Sequence, residues 1–514
     1  EEANAYYRQA IALKPAYPEA HNNLGTAVRG QGNLEEAIAY YQQAITLKPA
    51  FVEAYTNLGN ALNDQGKVDE AITYYRRALE LQPSDGLRIK IATRLPIIVE
   101  SAQEIALIRR QYEENINALL KEELTLKDPV KEVGKTSFYL AYHGRNDREL
   151  QVKMARLYER ACPSLNYCAP HCREGSLAAT GRKLRVGFIS RYFWNHSIGK
   201  LMRGMIAELS RREFSVSVLS FPRQPDSLSA VISQCADRSI VVPPTLEAAR
   251  QRIAEEQLDI LFYTDIGMDS LTYFLAFSRL APVQCTSWGH GVTTGIPTID
   301  YFISSEYLEP EDADTHYSER LVRLKHLPTY YDRPASPGPL QSRRDLGLDD
   351  SRTLYVCPQS LFKIHPDFDE VLAGILQTDP RGEVILIEGA HPHWTELLVR
   401  RFRATIPAVA GRIRFVPRQS NQGFHSLIAV ADVILDPLHC GGGNTTLDAF
   451  PAGVPIVTLP GEFNRSRTTY ACYKQMGVLD CVAKTKEDYV SLAVRLGTDR
   501  AYRAEVQAKI LAAH

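Results

Sequence analysis

The N-terminal part of the sequence repeats itself with a step of 34 residues. Small and aromatic residues return at this interval, and so does a proline that would end each unit. The recurring positions are Leu24 and Leu58, Gly25 and Gly59, Gly32 and Gly66, Ala37 and Ala71, Tyr41 and Tyr75, Ala44 and Ala78, and Pro15, Pro49 and Pro83. A repeat of this kind predicts two antiparallel helices per unit, with small residues where the helices cross, stacked into a solenoid.

The 34-residue period is typical of tetratricopeptide repeats, and we assign residues 1–86 to them. The first unit is only half present, at about residues 3–13, so we expect that the chain is truncated or that something else covers the exposed face. The concave surface of such a solenoid suits extended protein or peptide acceptors. Asn23 and Asn57 occupy equivalent positions, where an amide can hold a peptide backbone. They are equally well interpreted as solvated residues or local caps.

Composition indicates a globular protein of several domains. The chain has 514 residues, of which 45% are hydrophobic and 23% charged, and its net charge is −1. This balance gives no reason to expect nucleic acid as a partner, and no apolar run reaches the roughly 18 residues of a membrane span. With no signal peptide visible and nine cysteines, an odd number, we expect a cytoplasmic protein with free thiols. Cys162, Cys168, His171 and Cys172 cluster, but they match no paired zinc pattern.

Helical patterning continues after the repeats, over residues 87–181, which we interpret as an α-helical connector. Apolar residues recur at helical spacing over residues 102–120 and 148–162. A stretch of Gly, Ser and Ala from Gly175 to Gly181 is the predicted boundary.

Beyond the connector, short β-branched runs alternate with amphipathic helical segments. This alternation predicts parallel sheets covered on both faces, and hence two Rossmann-like α/β domains over residues 182–338 and 339–514, facing across a cleft. A Pro-rich break, Pro328 to Pro339, separates them. The predicted strands are 184–190, 214–221, 260–265, 283–288 and 301–304, then 353–357, 383–388, 412–417, 432–436 and 455–459.

A glycine-rich loop between two of these strands is the first candidate site. It runs from Asp436 through Gly441, Gly442 and Gly443 into a predicted helix over residues 444–452. Backbone amides there can approach a phosphate, and Asp448 one turn later can reach a sugar hydroxyl. The alternative is a tight strand-to-helix turn without a ligand.

Three further loops follow strands and would face the same cleft. Lys363 can meet a diphosphate with a compact charge. Phe424 or His425 can stack on a base, although ordinary helix packing explains either one equally well. His196 can exchange a proton near neutral pH. The chain contains no dinucleotide fingerprint, Walker A motif, zinc-protease motif or nucleophile elbow, so a nucleotide sugar is the phosphorylated ligand that fits.

Together, the repeats, connector and cleft motifs resemble the O-linked N-acetylglucosamine transferases and their bacterial homologues. The related bacterial adhesin N-glucosyltransferases share the catalytic half and a Gly-Asn-Thr form of the glycine-rich loop, which this chain also has. The motifs that carry the resemblance are Leu184–Ser190, Asn195–His196, Leu361–Pro366 and Asp436–Pro460.

The resemblance implies a GT-B fold and an inverting, metal-free transfer from a UDP-sugar, with no cofactor. Lys363 would neutralise the departing UDP, and His196 would lie near the acceptor, although its role as base is open. The other implied donor-binding residues are Gln359, Ser360, Phe424 near uracil, Gly443, Asn444 and Thr445 at the diphosphate, and Asp448 at the ribose.

One departure from the resembled family bears on the donor. A tyrosine that shapes the family's donor site is replaced here by His290. We expect transfer of N-acetylglucosamine from UDP-GlcNAc to Ser or Thr of proteins. Two alternatives remain, namely a UDP-glucose-dependent protein N-glucosyltransferase and a repeat scaffold whose UDP-binding half has little activity.

Overall fold

The computed structural model describes residues 2–173, 181–333 and 338–514. The repeats fold as antiparallel helices, as their period predicts. A Cβ atom on Gly25 would lie 2.8 Å from the Tyr41 ring, and one on Gly59 would lie 2.6 Å from the Tyr75 ring, so both helix crossings require glycine. The helices are α1 (Glu2–Leu13), α2 (Pro18–Gly30), α3 (Leu34–Leu47), α4 (Val52–Gln65) and α5 (Val68–Leu81).

The connector is helical and shares a hydrophobic core with the first α/β unit. Tyr112 and Tyr158 of the connector pack in one buried cluster with Phe274 and Phe277. The boundary predicted at Gly175 to Gly181 lies outside the described residues apart from Gly181. The connector helices are α6 (Asp85–Ala92), α7 (Ala102–Leu119), α8 (Pro129–Glu132), α9 (Arg148–Ala161) and α10 (Pro170–Arg173), with 3₁₀ turns at Phe138–Tyr142 and Pro163–Leu165.

The first α/β unit contains a seven-stranded parallel sheet in the order β3-β2-β1-β4-β5-β6-β7. Strand β1 pairs with β2 on one side and β4 on the other, so the order reverses beside β1. The strands are β1 (Leu184–Ile189), β2 (Phe214–Ser220), β3 (Arg238–Val241), β4 (Ile260–Tyr263), β5 (Val283–Ser287), β6 (Tyr301–Ser305) and β7 (Arg320–Leu324). The helices are α11 (Ser197–Glu208), α12 (Ser227–Cys235), α13 (Leu246–Ala254) and α14 (Ser270–Leu275).

The second unit contains a five-stranded parallel sheet in the order β10-β9-β8-β11-β12. Its central strand β8 is buried along its whole length. The strands are β8 (Thr353–Cys357), β9 (Gly382–Ile387), β10 (Ile413–Val416), β11 (Val433–Leu435) and β12 (Ile456–Val457). The helices are α15 (Asp367–Thr378), α16 (Pro392–Thr405), α17 (Asn421–Ala429), α18 (Asn444–Ala449), α19 (Thr468–Met476), α20 (Lys486–Thr498) and α21 (Arg500–Ala513).

The sheets confirm the predicted fold class of a helical solenoid followed by two parallel α/β units, with local differences. The strands β3 and β7 were not predicted, because they lie at sheet edges and each has a single buried residue, so neither contains a long apolar run. The predicted helix 444–452 ends as an α-helix at Ala449 and continues as a 3₁₀ turn, Phe450–Ala452, where Pro451 has no amide hydrogen to donate. No helix among the described residues is both long enough and apolar enough to cross a bilayer.

Candidate active site

A cavity of about 320 Å³ lies where loops from both sheets and the connector meet. These loops follow the carboxyl ends of parallel strands, where ligands of such folds bind. The cavity brings together most of the predicted site residues, namely His196, His290, Gln359, Ser360, Lys363, Gly443, Asn444 and Thr445. A neighbouring cavity of about 350 Å³ shares Gln359 and Ser360 with it and is lined by Phe424.

Lys363 ends a short 3₁₀ turn, Leu361–Lys363, that follows β8. Its ammonium donates hydrogen bonds to the backbone carbonyl of Gly441, at 2.7 Å, and to Oε1 of Gln359, at 3.0 Å. Both acceptors are neutral, and no carboxylate of the described chain lies within ion-pair distance of the Lys363 ammonium. The lysine is therefore held in place with its charge available to an anion.

The glycine-rich loop is folded around the buried carboxylate of Asp436. Oδ1 of Asp436 accepts a hydrogen bond from the amide of Gly442, at 2.7 Å, and Oδ2 accepts one from the Thr458 hydroxyl, at 2.8 Å. A Cβ atom on Gly441 would lie 2.7 Å from Asp436, and one on Gly442 would lie 2.5 Å from the Thr445 hydroxyl. Since neither position has room for a side chain, the loop packs closely against the start of α18.

The first residues of α18 are held from both sides of the cleft. The Gln359 amide donates to Oγ1 of Thr445, at 2.5 Å, within the second unit. The Asn444 amide donates across the cleft to the Ser197 carbonyl, at 3.3 Å, and to the Tyr331 hydroxyl, at 3.2 Å. The two α/β units therefore contact each other at this loop.

Asp448 does not line either cavity. Its carboxylate is buried, Oδ1 accepts a hydrogen bond from the Tyr331 hydroxyl at 2.9 Å, and Oδ2 lies 3.8 Å from the Lys200 ammonium. Its predicted contact with a ribose would have to replace or join these partners. The role stays a prediction.

His196 forms the N-cap of α11, where its Nδ1 accepts a hydrogen bond from the Ile198 amide at 3.2 Å. The ring stacks on Tyr192 with centroids 4.5 Å apart. Burial, together with the charge of Arg223, lowers the pKa of His196 to about 4, so the ring is neutral at pH 7. A neutral imidazole whose Nδ1 accepts must carry its proton on Nε2. This arrangement presents a hydrogen-bond donor and does not favour a role as base, which the sequence left open.

Comparison with known sequences now decides the family. The chain matches the profile of glycosyl transferase family 41 over residues 165–332 and 329–514, and that of the tetratricopeptide repeat over residues 1–51 and 30–86. The chain belongs to glycosyl transferase family 41. The family resemblance predicted from the motifs is confirmed.

Individual relatives share about a quarter of the aligned residues. A probable UDP-N-acetylglucosamine–peptide N-acetylglucosaminyltransferase SEC of Arabidopsis thaliana is 26% identical over 355 residues, which cover 66% of this chain and 36% of that protein. A probable UDP-N-acetylglucosamine–peptide N-acetylglucosaminyltransferase SPINDLY of Petunia hybrida is 25% identical over 332 residues, which cover 62% and 35%. The chain thus spans about a third of the length of these curated relatives.

A solved structure supports the fold. It is a mutant of the Thermobaculum terrenum O-GlcNAc transferase, which superposes with a TM-score of 0.71 at 24% identity and covers 99% of this chain and 88% of its own. The match confirms the predicted GT-B arrangement, a repeat solenoid followed by two Rossmann-like units.

His290 is buried beside the connector. It stands where the resembled family has a tyrosine that shapes the donor site. Its ring stacks on Phe138 with centroids 5.1 Å apart, and burial lowers its pKa to about 3. Gly267 has a φ of +103°, and a Cβ atom there would lie 2.7 Å from the His290 ring. His290 is thus a neutral side chain that shapes the cavity wall.

Two sets of cavity residues were missed at the sequence level. Arg465 follows β12, and it pairs with Asp147 of the connector at 3.1 Å. Arg465, like Lys363, lies in a loop that follows a parallel strand, so the reasoning that predicted Lys363 would also have predicted Arg465. Phe138 and Tyr142 of the connector pack on Phe362 of the Lys363 loop, and the sequence carries no signal for this long-range contact.

Asn23 and Asn57 lie on the solenoid and line neither of these cavities. The Asn57 amide donates to the side chain of Asn22, at 3.0 Å, and so links two repeats, whereas Asn23 is exposed. Their predicted contact with an acceptor peptide stays a prediction.

Proposed function

We propose that this chain is an inverting protein glycosyltransferase that moves N-acetylglucosamine from UDP-GlcNAc to Ser or Thr without a metal ion. The observation that carries the proposal is the charge of the 320 Å³ cavity. Its described lining contains no Asp or Glu and two cations, of which Arg465 is paired with Asp147 outside the cavity and Lys363 has no carboxylate partner in the described chain. Such a lining suits a diphosphate bound directly to cations and backbone amides, and it offers no carboxylate to a bridging divalent ion.

The arrangement of the two cavities supports a nucleotide sugar as the ligand. Phe424 lies in the second cavity, beyond Gln359 and Ser360, where a flat base can stack on it. The diphosphate would then lie over Lys363 and the glycine-rich loop. The sugar would extend toward His290 and His196.

Leaving-group stabilisation is the main chemical task of this site. When the bond between sugar and diphosphate breaks, negative charge grows on the phosphate oxygen. A preorganised donor at that position contributes most, because it needs no rearrangement as the charge develops. Lys363, already fixed by Gly441 and Gln359, is such a donor.

The acceptor would reach the sugar from the opposite side of the donor cavity. A third cavity, of about 480 Å³, is lined by Asp64 of the solenoid, Lys90 of the connector and His196 of the first unit. Because His196 lines both this cavity and the donor cavity, an acceptor entering there would meet the Nε2–H of His196. Protein or peptide acceptors held by the repeats fit this path.

The choice of donor and acceptor draws on the names of the relatives, which are those of probable UDP-N-acetylglucosamine–peptide N-acetylglucosaminyltransferases. Transfer of glucose to asparagine is the second candidate. The Gly443-Asn444-Thr445 form of the glycine-rich loop supports it, since the resembled adhesin N-glucosyltransferases share that form. The nine free cysteines are in keeping with the predicted cytoplasmic location.

The test is a donor-hydrolysis and transfer assay with UDP-GlcNAc and UDP-glucose in parallel. Peptide libraries are the acceptors, and modified residues are mapped by mass spectrometry. The proposal predicts faster turnover with UDP-GlcNAc and modified Ser or Thr. Modified Asn with UDP-glucose would establish the second candidate instead, and no turnover with either donor would favour a binding scaffold.

A further inference from the structure

A cluster of two histidines and one aspartate lies behind the glycine-rich loop. His365 and Asp367 follow Lys363 in the loop after β8, and His439 lies in the loop after β11. The rings of His365 and His439 are 4.2 Å apart. None of the three residues lines the donor cavity, so the cluster is separate from the site described above.

The ligand atoms of the cluster converge. Nε2 of His439 lies 2.9 Å from Oδ2 of Asp367, and Nδ1 of His365 lies 3.5 Å from the same oxygen. All three atoms fall within 4.8 Å of one another. A tetrahedral zinc ion with bonds of about 2.1 Å separates its ligand atoms by roughly 3.4 Å. The observed separations, from 2.9 Å to at most 4.8 Å, bracket this value, so small shifts of the side chains would place them at three corners of such a site.

The surrounding backbone holds the two rings in this orientation. The His365 ring lies against the backbone of His143 in the connector. Gly144 has a φ of +63°, and a Cβ atom there would lie 2.6 Å from the His439 ring.

We propose that His365, Asp367 and His439 bind Zn²⁺, with water at the fourth position. The ion replaces the hydrogen that His439 and Asp367 share, and it displaces the 3.1 Å hydrogen bond from the Asp367 amide to His365. Asp367 and His439 are about a third exposed, at 33% and 29%, so the ion has an entry path. Bound there, it ties the loop of Lys363 to the loop of the glycines.

This inference goes beyond the proposed function, because zinc binding is measured without any nucleotide. The protein is stripped with a chelator, and Zn²⁺ is titrated by calorimetry. Co²⁺ is then used as a spectroscopic probe. We expect one equivalent of Zn²⁺ per chain, a rise in melting temperature on binding, and cobalt d–d bands of a tetrahedral site without a thiolate charge-transfer band. The absence of the thiolate band distinguishes this site from one formed by Cys168, His171 and Cys172, because cysteine ligands would give that band.

Two variants test the ligands. His439→Ala and Asp367→Asn should each weaken Zn²⁺ binding by more than about 100-fold, since loss of an outer-shell partner alone costs about 10–100-fold. The matched control is His393→Ala, which removes a histidine of the same unit that pairs with Glu396 at 3.4 Å, and it should bind as the wild type does. Asp367→Asn keeps the side-chain shape, so it still tests zinc binding by these residues if His439→Ala fails to fold. Wild-type affinity in both variants, or no zinc uptake by the wild type, would overturn the proposal.

Discussion

The second sheet brings a charged lysine to the cleft, whereas the first sheet brings two neutral histidines. Lys363 is fixed by neutral acceptors and keeps its charge for a ligand. His196 and His290 are stacked on aromatic rings, and burial lowers the pKa of each below its usual range. The comparison suggests a division of labour, in which the second unit stabilises the leaving group and the first unit shapes the sugar and acceptor sides.

The largest effect is expected from filling the space beneath the glycine-rich loop. In Gly442→Ala, the new methyl group would lie 2.5 Å from the Thr445 hydroxyl and 2.8 Å from the Gln359 amide, so the loop or the side chains that hold it must shift. A displacement of about 1 Å at a reacting group costs on the order of 100-fold in rate. We expect transfer to fall by about that factor or more, measured as kcat/KM with the donor assay.

The matched control for this change is Gly411→Ala. Gly411 belongs to the same unit, and a Cβ atom there meets nothing within 4 Å. Transfer by Gly411→Ala should equal that of the wild type. If Gly442→Ala is as active as the wild type, the second unit tolerates a displaced loop. The proposed division of labour between the two units would then be wrong.

A smaller effect is expected on the first unit, from His196. His196→Ala removes both the helix cap and the Nε2–H donor, whereas His196→Asn keeps a good capping group and removes only the ring. We expect both variants to lose transfer by about tenfold, the value of one hydrogen bond. Only His196→Ala should also lose about 1 kcal/mol of unfolding free energy.

The two readouts for His196 are kcat/KM and denaturant melts. If His196 is the base, both variants should lose far more than tenfold, and the pH–rate profile should lose a limb. That outcome would assign chemistry to the first unit that its hydrogen bonds do not favour.

The smallest effect concerns the pH dependence of stability, through His290. Its pKa is about 3 in the folded chain and about 6.5 when unfolded, so the unfolded chain binds more protons between these values. Its contribution to stability is complete above about pH 6.5 and is lost as the pH falls toward 3, by at most about 1.4 kcal/mol per pH unit. In His290→Phe, the melting temperature should therefore change less with pH between about 6.5 and 3 than in the wild type.

Melting temperatures of wild type and His290→Phe at several pH values check this prediction. His393→Ala, at a partly exposed histidine, serves as the control and should keep the wild-type slope. An unchanged slope in His290→Phe would mean that this histidine is not held neutral by burial.

How much of this could be predicted from the sequence depends on how local the signal is. The repeats were predictable because Gly25 and Tyr41 recur one period later, and Lys363 was predictable because it follows a buried strand. The edge strand β3 was missed because three of its four residues are exposed. The wall formed by Phe138 was missed because it depends on packing between distant segments, and so was the engagement of Asp448 with Tyr331.

The most direct test of the leaving-group assignment compares the binding of UDP and uridine by calorimetry, in wild type, Lys363→Ala and Lys484→Ala. Lys484 is an exposed lysine of the same unit and serves as the control. If the diphosphate lies over Lys363, UDP binds wild type and Lys484→Ala much more tightly than uridine does, and Lys363→Ala loses most of that difference while its affinity for uridine is unchanged. If Lys363→Ala binds UDP as tightly as the wild type, the second unit does not hold the leaving group through this lysine and the account is wrong.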